Sequence, residues 1–123
     1  MSVLPFRATV ADLGDRLVLV SVSGELDLHV EPELRSCLAA TDGLGARAVV
    51  LDLSGVSFLD STICGLIVGE AKRGVGGNRE LVLVGNGSHP TQVLRLAGID
   101  RVVRLFPTLP DALQNLVVEE AAR

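Results

Sequence analysis

Four short runs constrain the fold most: Arg16 to Ser23 (RLVLVSVS), Ala48 to Leu53 (AVVLDL), Leu81 to Val84 (LVLV) and Val102 to Phe106 (VVRLF). Each is apolar, rich in β-branched residues and bounded by Gly, Asp or Arg, as buried strands are. Helix-length patterns separate them. Val30, Leu34, Cys37 and Leu38 recur at i, i+4, i+7 and i+8, and Ser61 to Arg73, Pro90 to Ala97 and Pro110 to Val118 also read as helices. Pro90 and Pro110 suit a first helical turn, where the missing N–H goes unused. Gly74 to Asn78 and Gly98 read as stops. Ahead of the first run, Ala8 to Leu13 pairs antiparallel with it through a Gly14-Asp15 turn. The order predicts an α/β fold: a mixed, mostly parallel sheet that starts with a β-hairpin, with helices packed against it. The end, VEEAAR, reads as a frayed, solvated tail.

A chain of 123 residues fits one compact domain, with its core at about residues 8–118. At 48% hydrophobic and 21% charged residues it is too apolar for a disordered chain. A net charge of −4, without a Lys/Arg cluster, argues against a nucleic-acid partner, and three Phe without Trp or Tyr offer little for base stacking. Cys37 and Cys64 are far apart and form no CxxC, so they read as small buried hydrophobes in a reducing cytoplasm, not as a disulfide or a metal site. The opening MSVLPFRATV lacks the basic and long apolar regions of a secretory signal, and no later segment stays apolar for about 18 residues. The expectation is a cytoplasmic protein with no membrane partner.

Several motifs weaken on inspection. LVLVGNGSHP imitates a dinucleotide fingerprint, but Pro90 occupies the third glycine position and no acidic residue ends a second strand about 20 residues on. Gly74 to Gly77 lacks the Lys-Ser/Thr pair of a phosphate loop and follows a helix. His29 and His89 lack metal-ligand spacing, and Ser61 has no Gly-x-Ser-x-Gly elbow. No cofactor, metal or catalytic residue is expected.

GELDL (Gly24 to Leu28) leads from the second strand into the first helix, and Asp27 alone could cap that helix. LDLSGVSFLDST (Leu51 to Thr62) delivers Asp60, Ser61 and Thr62 to the start of the next helix. If strands two and three are parallel neighbours, Asp27 and Asp60 share one sheet edge, where α/β proteins place their sites. Ser61 is expected to cap the helix. At about 100° per residue, Thr62, Gly65, Leu66, Gly69 and Arg73 fall in one stripe, opposite Cys64, Ile67, Val68 and Ala71, which face the core. Thr62 therefore points outward. Gly, Leu and Gly on an outward stripe suit close approach by a partner, or by a neighbouring element of the same domain.

GELDL, LDLSGVSFLDST and VLRLAGIDRVVRLFPTLPDAL (Val93 to Leu113), in this order and spacing, resemble the anti-sigma factor antagonist family of bacterial STAS domains. The resemblance spans roughly Arg16 to Leu113. It implies a mostly parallel sheet with helices mainly on one side and a binding role without catalysis. Such proteins bind an anti-sigma factor with kinase activity, freeing the sigma factor. Phosphorylation of the residue after Asp-Ser, here Thr62, switches them off, and a serine/threonine phosphatase resets them. Asp27, Asp60, Ser61, Thr62, Gly65, Leu66 and Gly69 are then the expected partner-binding residues. The chain departs from the family where Ile63 replaces the usual Gly, and a β-branched side chain beside Thr62 is expected to crowd a kinase.

Two rivals stand beside this reading. STAS domains also serve as fixed subunits of stress-signalling or lipid-transport complexes, which Ile63 favours. A nucleotide-binding enzyme would use Asp27 and Asp60, but no basic cluster near them holds a triphosphate.

Overall fold

The computed structural model of the chain describes residues 5–87 and 89–122. Residues 1–4 of the opening stretch, Ser88 of the glycine turn and Arg123 of the terminal VEEAAR lie outside the described residues. The elements are β1 (Arg7–Gly14), β2 (Leu17–Leu26), α1 (Glu31–Ala40), β3 (Ala48–Leu59), α2 (Ser61–Gly76), β4 (Glu80–Val84), α3 (His89–Leu96), β5 (Arg104–Phe106) and α4 (Leu109–Ala121). Short 3-10 turns follow α1 at Thr41–Leu44 and α3 at Ile99–Arg101.

β1 and β2 form the expected antiparallel hairpin, and β2 to β5 run parallel in the order β1-β2-β3-β4-β5. The hairpin turns at Asp15-Arg16, one residue later than expected, with φ of 55° and 59°. Positive φ at both central residues matches the twist of a tight hairpin. Strand order increases steadily from β2 to β5, so right-handed crossovers must all pass over the same face. That places α1, α2 and α3 together over a core containing Val20, Val49, Leu51, Leu83 and Leu94. α4 follows the last strand, is not a crossover, and covers Ala48, Val50, Val82 and Val84 on the opposite face through Ala112 and Leu116. β3 is buried on both faces, which explains the unbroken apolar run at its start.

Three boundaries differ from the sequence reading. β3 continues to Leu59 through two irregularities: the register with β2 shifts between Ser21 and Ser23, opposite Asp52 to Gly55, and again between Gly24 and Glu25, where Ser57 is the extra residue. A Cβ on Gly55 would lie 2.9 Å from the Ser23 Cβ, so the close approach requires glycine there. β5 starts at Arg104, leaving Val102 exposed in the preceding turn. Residues 118–121 are solvated as expected but not frayed: α4 runs to Ala121, with Glu119 paired to Arg104 and Glu120 to Arg47.

The far end of α2 is fixed by a buried charge network. Glu70 Oε2 accepts from Arg73 at 2.7 Å and from Arg79 at 3.2 Å, while Arg79 also donates to Thr41 Oγ1 and Asp42 Oδ1. Gly74, expected to end α2, lies inside its last turn, where a Cβ would meet the Arg79 carbonyl at 2.3 Å.

Candidate functional site

The site is built on the last residues of β2 and β3. Leu26 and Leu59 are paired in the parallel register, and the Asp60 N–H donates to the Leu26 carbonyl at 3.2 Å. Asp27 and Asp60, the residues that follow this pair, therefore emerge side by side at the C-terminal edge of the sheet.

Asp27 does not cap α1. Its Oδ1 accepts the His29 N–H at 2.9 Å and its carbonyl accepts the Val30 N–H, which closes the turn before the helix. Val30 is the N-cap of α1 and makes no side-chain cap bond.

The cap of α2 belongs to Asp60, not to Ser61. Asp60 has extended backbone, φ −112° and ψ −178°, and its Oδ1 accepts the N–H groups of Thr62 at 3.0 Å and Ile63 at 3.2 Å. A residue needs a non-helical φ/ψ to aim its side chain back at the first turn, and Ser61 is already helical. This frees Ser61, which is exposed like Thr62, and neither hydroxyl makes a hydrogen bond among the described residues.

Thr62, Gly65 and Gly69 lie on the solvent side of α2, with Lys72 and Arg73. Leu66 does not: it is 3% exposed. Ile63, Leu66, Ile67 and Glu70 together set the buried arc of the helix, rotating the core face toward α1 from the one expected. The Ile63 side chain is fully buried, so it points away from the surface that Thr62 presents.

Side chains outside the expected set complete the surface. Phe58, two residues before Asp60, is 41% exposed and stacks on His89 at the start of α3, with ring centroids 6.0 Å apart and planes 12° apart. Leu28 is exposed beside Asp27, and His29 Nδ1 stands 3.6 Å from Asp27 Oδ1. Strict alternation from buried Val56 places Phe58 inside; the register shift throws it out, and no local signal marks that shift. One turn into α2, burial, reinforced by the Asp60 charge, pushes the Cys64 thiol pKa up. No group of three or more His, Cys, Asp or Glu suited to a metal ion occurs among the described residues. No described helix is long and apolar enough to cross a membrane.

A five-stranded sheet with a leading hairpin, three crossover helices on one face and an Asp-Ser-Thr helix start defines a class. The STAS domain family model matches residues 9–112, and the chain belongs to that family. It is 34% identical over 108 residues to the anti-sigma-F factor antagonist RsfB of Mycobacterium tuberculosis, covering 88% of this chain and 87% of that protein. It is 33% identical over 85 residues to the anti-sigma-B factor antagonist of Staphylococcus aureus, covering 69% and 79% respectively. The crystal structure of an anti-sigma factor antagonist from Mycobacterium paratuberculosis superimposes with a TM-score of 0.81 at 32% identity, covering 90% of this chain and 93% of that one.

Proposed function

We propose that this protein is a cytoplasmic anti-sigma factor antagonist: it binds an anti-sigma factor with kinase activity, releases the sigma factor, and is switched off by phosphorylation of Thr62. A serine/threonine phosphatase resets it, and the chain itself turns nothing over. The observation that carries the reading is the exposed Thr62 hydroxyl on the first turn of α2, with Asp60 at the cap beside it and Asp27 on the adjoining strand end. Relatives named as anti-sigma factor antagonists support the role.

The switch is electrostatic. A phosphoryl group adds roughly −1.5 to −2 charges at neutral pH to the outward side of α2. A unit like-charge pair at about 4 Å costs roughly 1 kcal/mol in water and about 4 kcal/mol at an interface-like dielectric. At about 1.4 kcal/mol per tenfold, affinity falls from a few-fold to roughly a thousandfold without a change of fold. Asp60 already holds the Thr62 and Ile63 N–H groups, so the phosphate gains little from the helix terminus and adds to the repulsion there.

A fixed, non-switching subunit was the alternative that Ile63 favoured; a fully buried Ile63 gives it no support. Incubation with the cognate anti-sigma kinase and ATP, followed by peptide mass spectrometry, tests the reading. Phosphate on Thr62 is the expected result; phosphate on Ser61, or none with an active kinase, contradicts it.

A further inference from the structure

Five of the ten Lys and Arg residues among the described residues have carboxylate partners. Arg73 and Arg79 share Glu70 and Asp42, Arg104 holds Glu80 and Glu119, Arg47 meets Asp15 and Glu120, and Arg35 meets Glu31. The side chains of Lys72, Arg95 and Arg101 form no ion pair or hydrogen bond among the described residues, although the chain carries a net charge of −4. Arg7 on β1 and Arg16, which reaches only the Gly45 carbonyl, are the other cations there without a carboxylate, and both lie on the hairpin.

The apolar surface is distributed in the same way. The most exposed large apolar side chains among the described residues are Leu96 at 90%, Val75 at 79% and Val102 at 67%. Each adjoins one of the unpaired cations. Leu96 follows Arg95, Val102 follows Arg101, and Val75 lies three residues beyond Lys72 on α2, where helical neighbours sit. Val75, Val102 and Arg101 also line one groove of about 620 Å³, whose other walls include Asp100 and the Arg104-bound Glu80 and Glu119. Proximity along the chain is thus proximity in space for the α2 and 3-10 turn residues, and α3 runs directly into that turn.

Apolar side chains interspersed with arginine are the composition of an interface core and its edge, and unpaired cations select an acidic partner. An anionic membrane fits less well: three cations contribute about 1 kcal/mol each against a chain of net negative charge. Lys72 is ten residues beyond Thr62, about 15 Å along α2, so one interface of ordinary size reaches both. We propose that the face formed by Lys72 and Val75, Arg101 and Val102, and Arg95 and Leu96 is a second docking surface for the anti-sigma factor. The partner meets it with apolar side chains ringed by Asp or Glu. This inference rests on the function proposed above.

Calorimetric titration with the cognate anti-sigma factor, at low and high salt, tests it on the intact protein. The charge-reversal variant Lys72→Glu, Arg95→Glu, Arg101→Glu is expected to bind at least about tenfold more weakly than wild type at low salt and to lose most of the salt dependence. Leu96→Ser with Val102→Ser is expected to weaken binding about tenfold at either salt. Both variants alter exposed positions, and thermal melts matching wild type establish that they fold. Wild-type affinity in both variants overturns the second surface and leaves the function standing. A wild type that does not bind overturns both. Wild-type sedimentation with phosphatidylglycerol vesicles, lost on charge reversal, overturns it in favour of a membrane.

Discussion

Asp60 Oδ1 accepts the backbone N–H of Thr62 at 3.0 Å. The same bond secures the first turn of α2 and holds the threonine with its hydroxyl in solvent. The same oxygen takes the Ile63 N–H at 3.2 Å, so it positions the residue at the helix start.

Replacing that carboxylate should therefore act on stability. Asp60→Ala is expected to cost about 1 kcal/mol, within the usual 0.5–2 kcal/mol for loss of an N-cap, and Asp60→Asn to retain most of the stability. Urea denaturation checks this; an Asp60→Ala protein as stable as wild type contradicts the cap assignment.

Ile63 should matter to the core and not to a kinase. With its side chain fully buried, Ile63→Ala is expected to destabilise the fold by roughly 2–5 kcal/mol. The rate of Thr62 phosphorylation, measured well below the melting temperature, should stay near wild type. A marked acceleration would mean that the isoleucine obstructs the kinase after all.

The network at the other end of α2 makes a separate prediction. Glu70 and Arg79 are both buried and bonded at 3.2 Å, so Glu70→Ala removes one of the two carboxylates on that guanidinium, leaves it Asp42, and is expected to cost about 1.5–3 kcal/mol. Glu70→Leu with Arg79→Met should recover most of that loss, because an apolar pair has no desolvation penalty. Denaturant unfolding of the single and double variants separates the two outcomes.

How far the sequence led depended on whether the deciding contacts were local. The cores of β2, β3 and β4 were legible because strands buried in a sheet must read as β-branched runs, and their order implied one helical face by handedness alone. In the sequence β3 reads as ending at Leu53, because the bulges that carry it on to Leu59 show only against the partner strand. Leu66 was placed outside because helical arithmetic fixes relative angles and not the direction of the core, which Ile63 and Glu70 help to set. The last turns of α4 were missed because Arg47 and Arg104, which pair with Glu120 and Glu119, are far away in sequence. Asp27 and Asp60 were legible as neighbours because two parallel strands end together.

Cys64 supplies a chemical check on packing at the site. Its thiol pKa is raised, first by burial and then by the Asp60 charge. A folded pKa above the unfolded one stabilises the fold below the unfolded value, near 9, and that contribution is lost as pH rises through the folded value. Cys64 is expected to resist iodoacetamide at neutral pH in the native protein and to react in urea, as read by mass spectrometry. Rapid native alkylation would contradict the buried placement.

The central claim is that charge at Thr62 decides whether the partner binds. Its most direct test is the Kd of the cognate anti-sigma factor for wild type, Thr62→Ala and Thr62→Glu, measured by calorimetry. The account predicts near wild-type affinity for Thr62→Ala and a loss of at least about tenfold for Thr62→Glu, with unchanged circular dichroism. Equal affinities for wild type and Thr62→Glu contradict it.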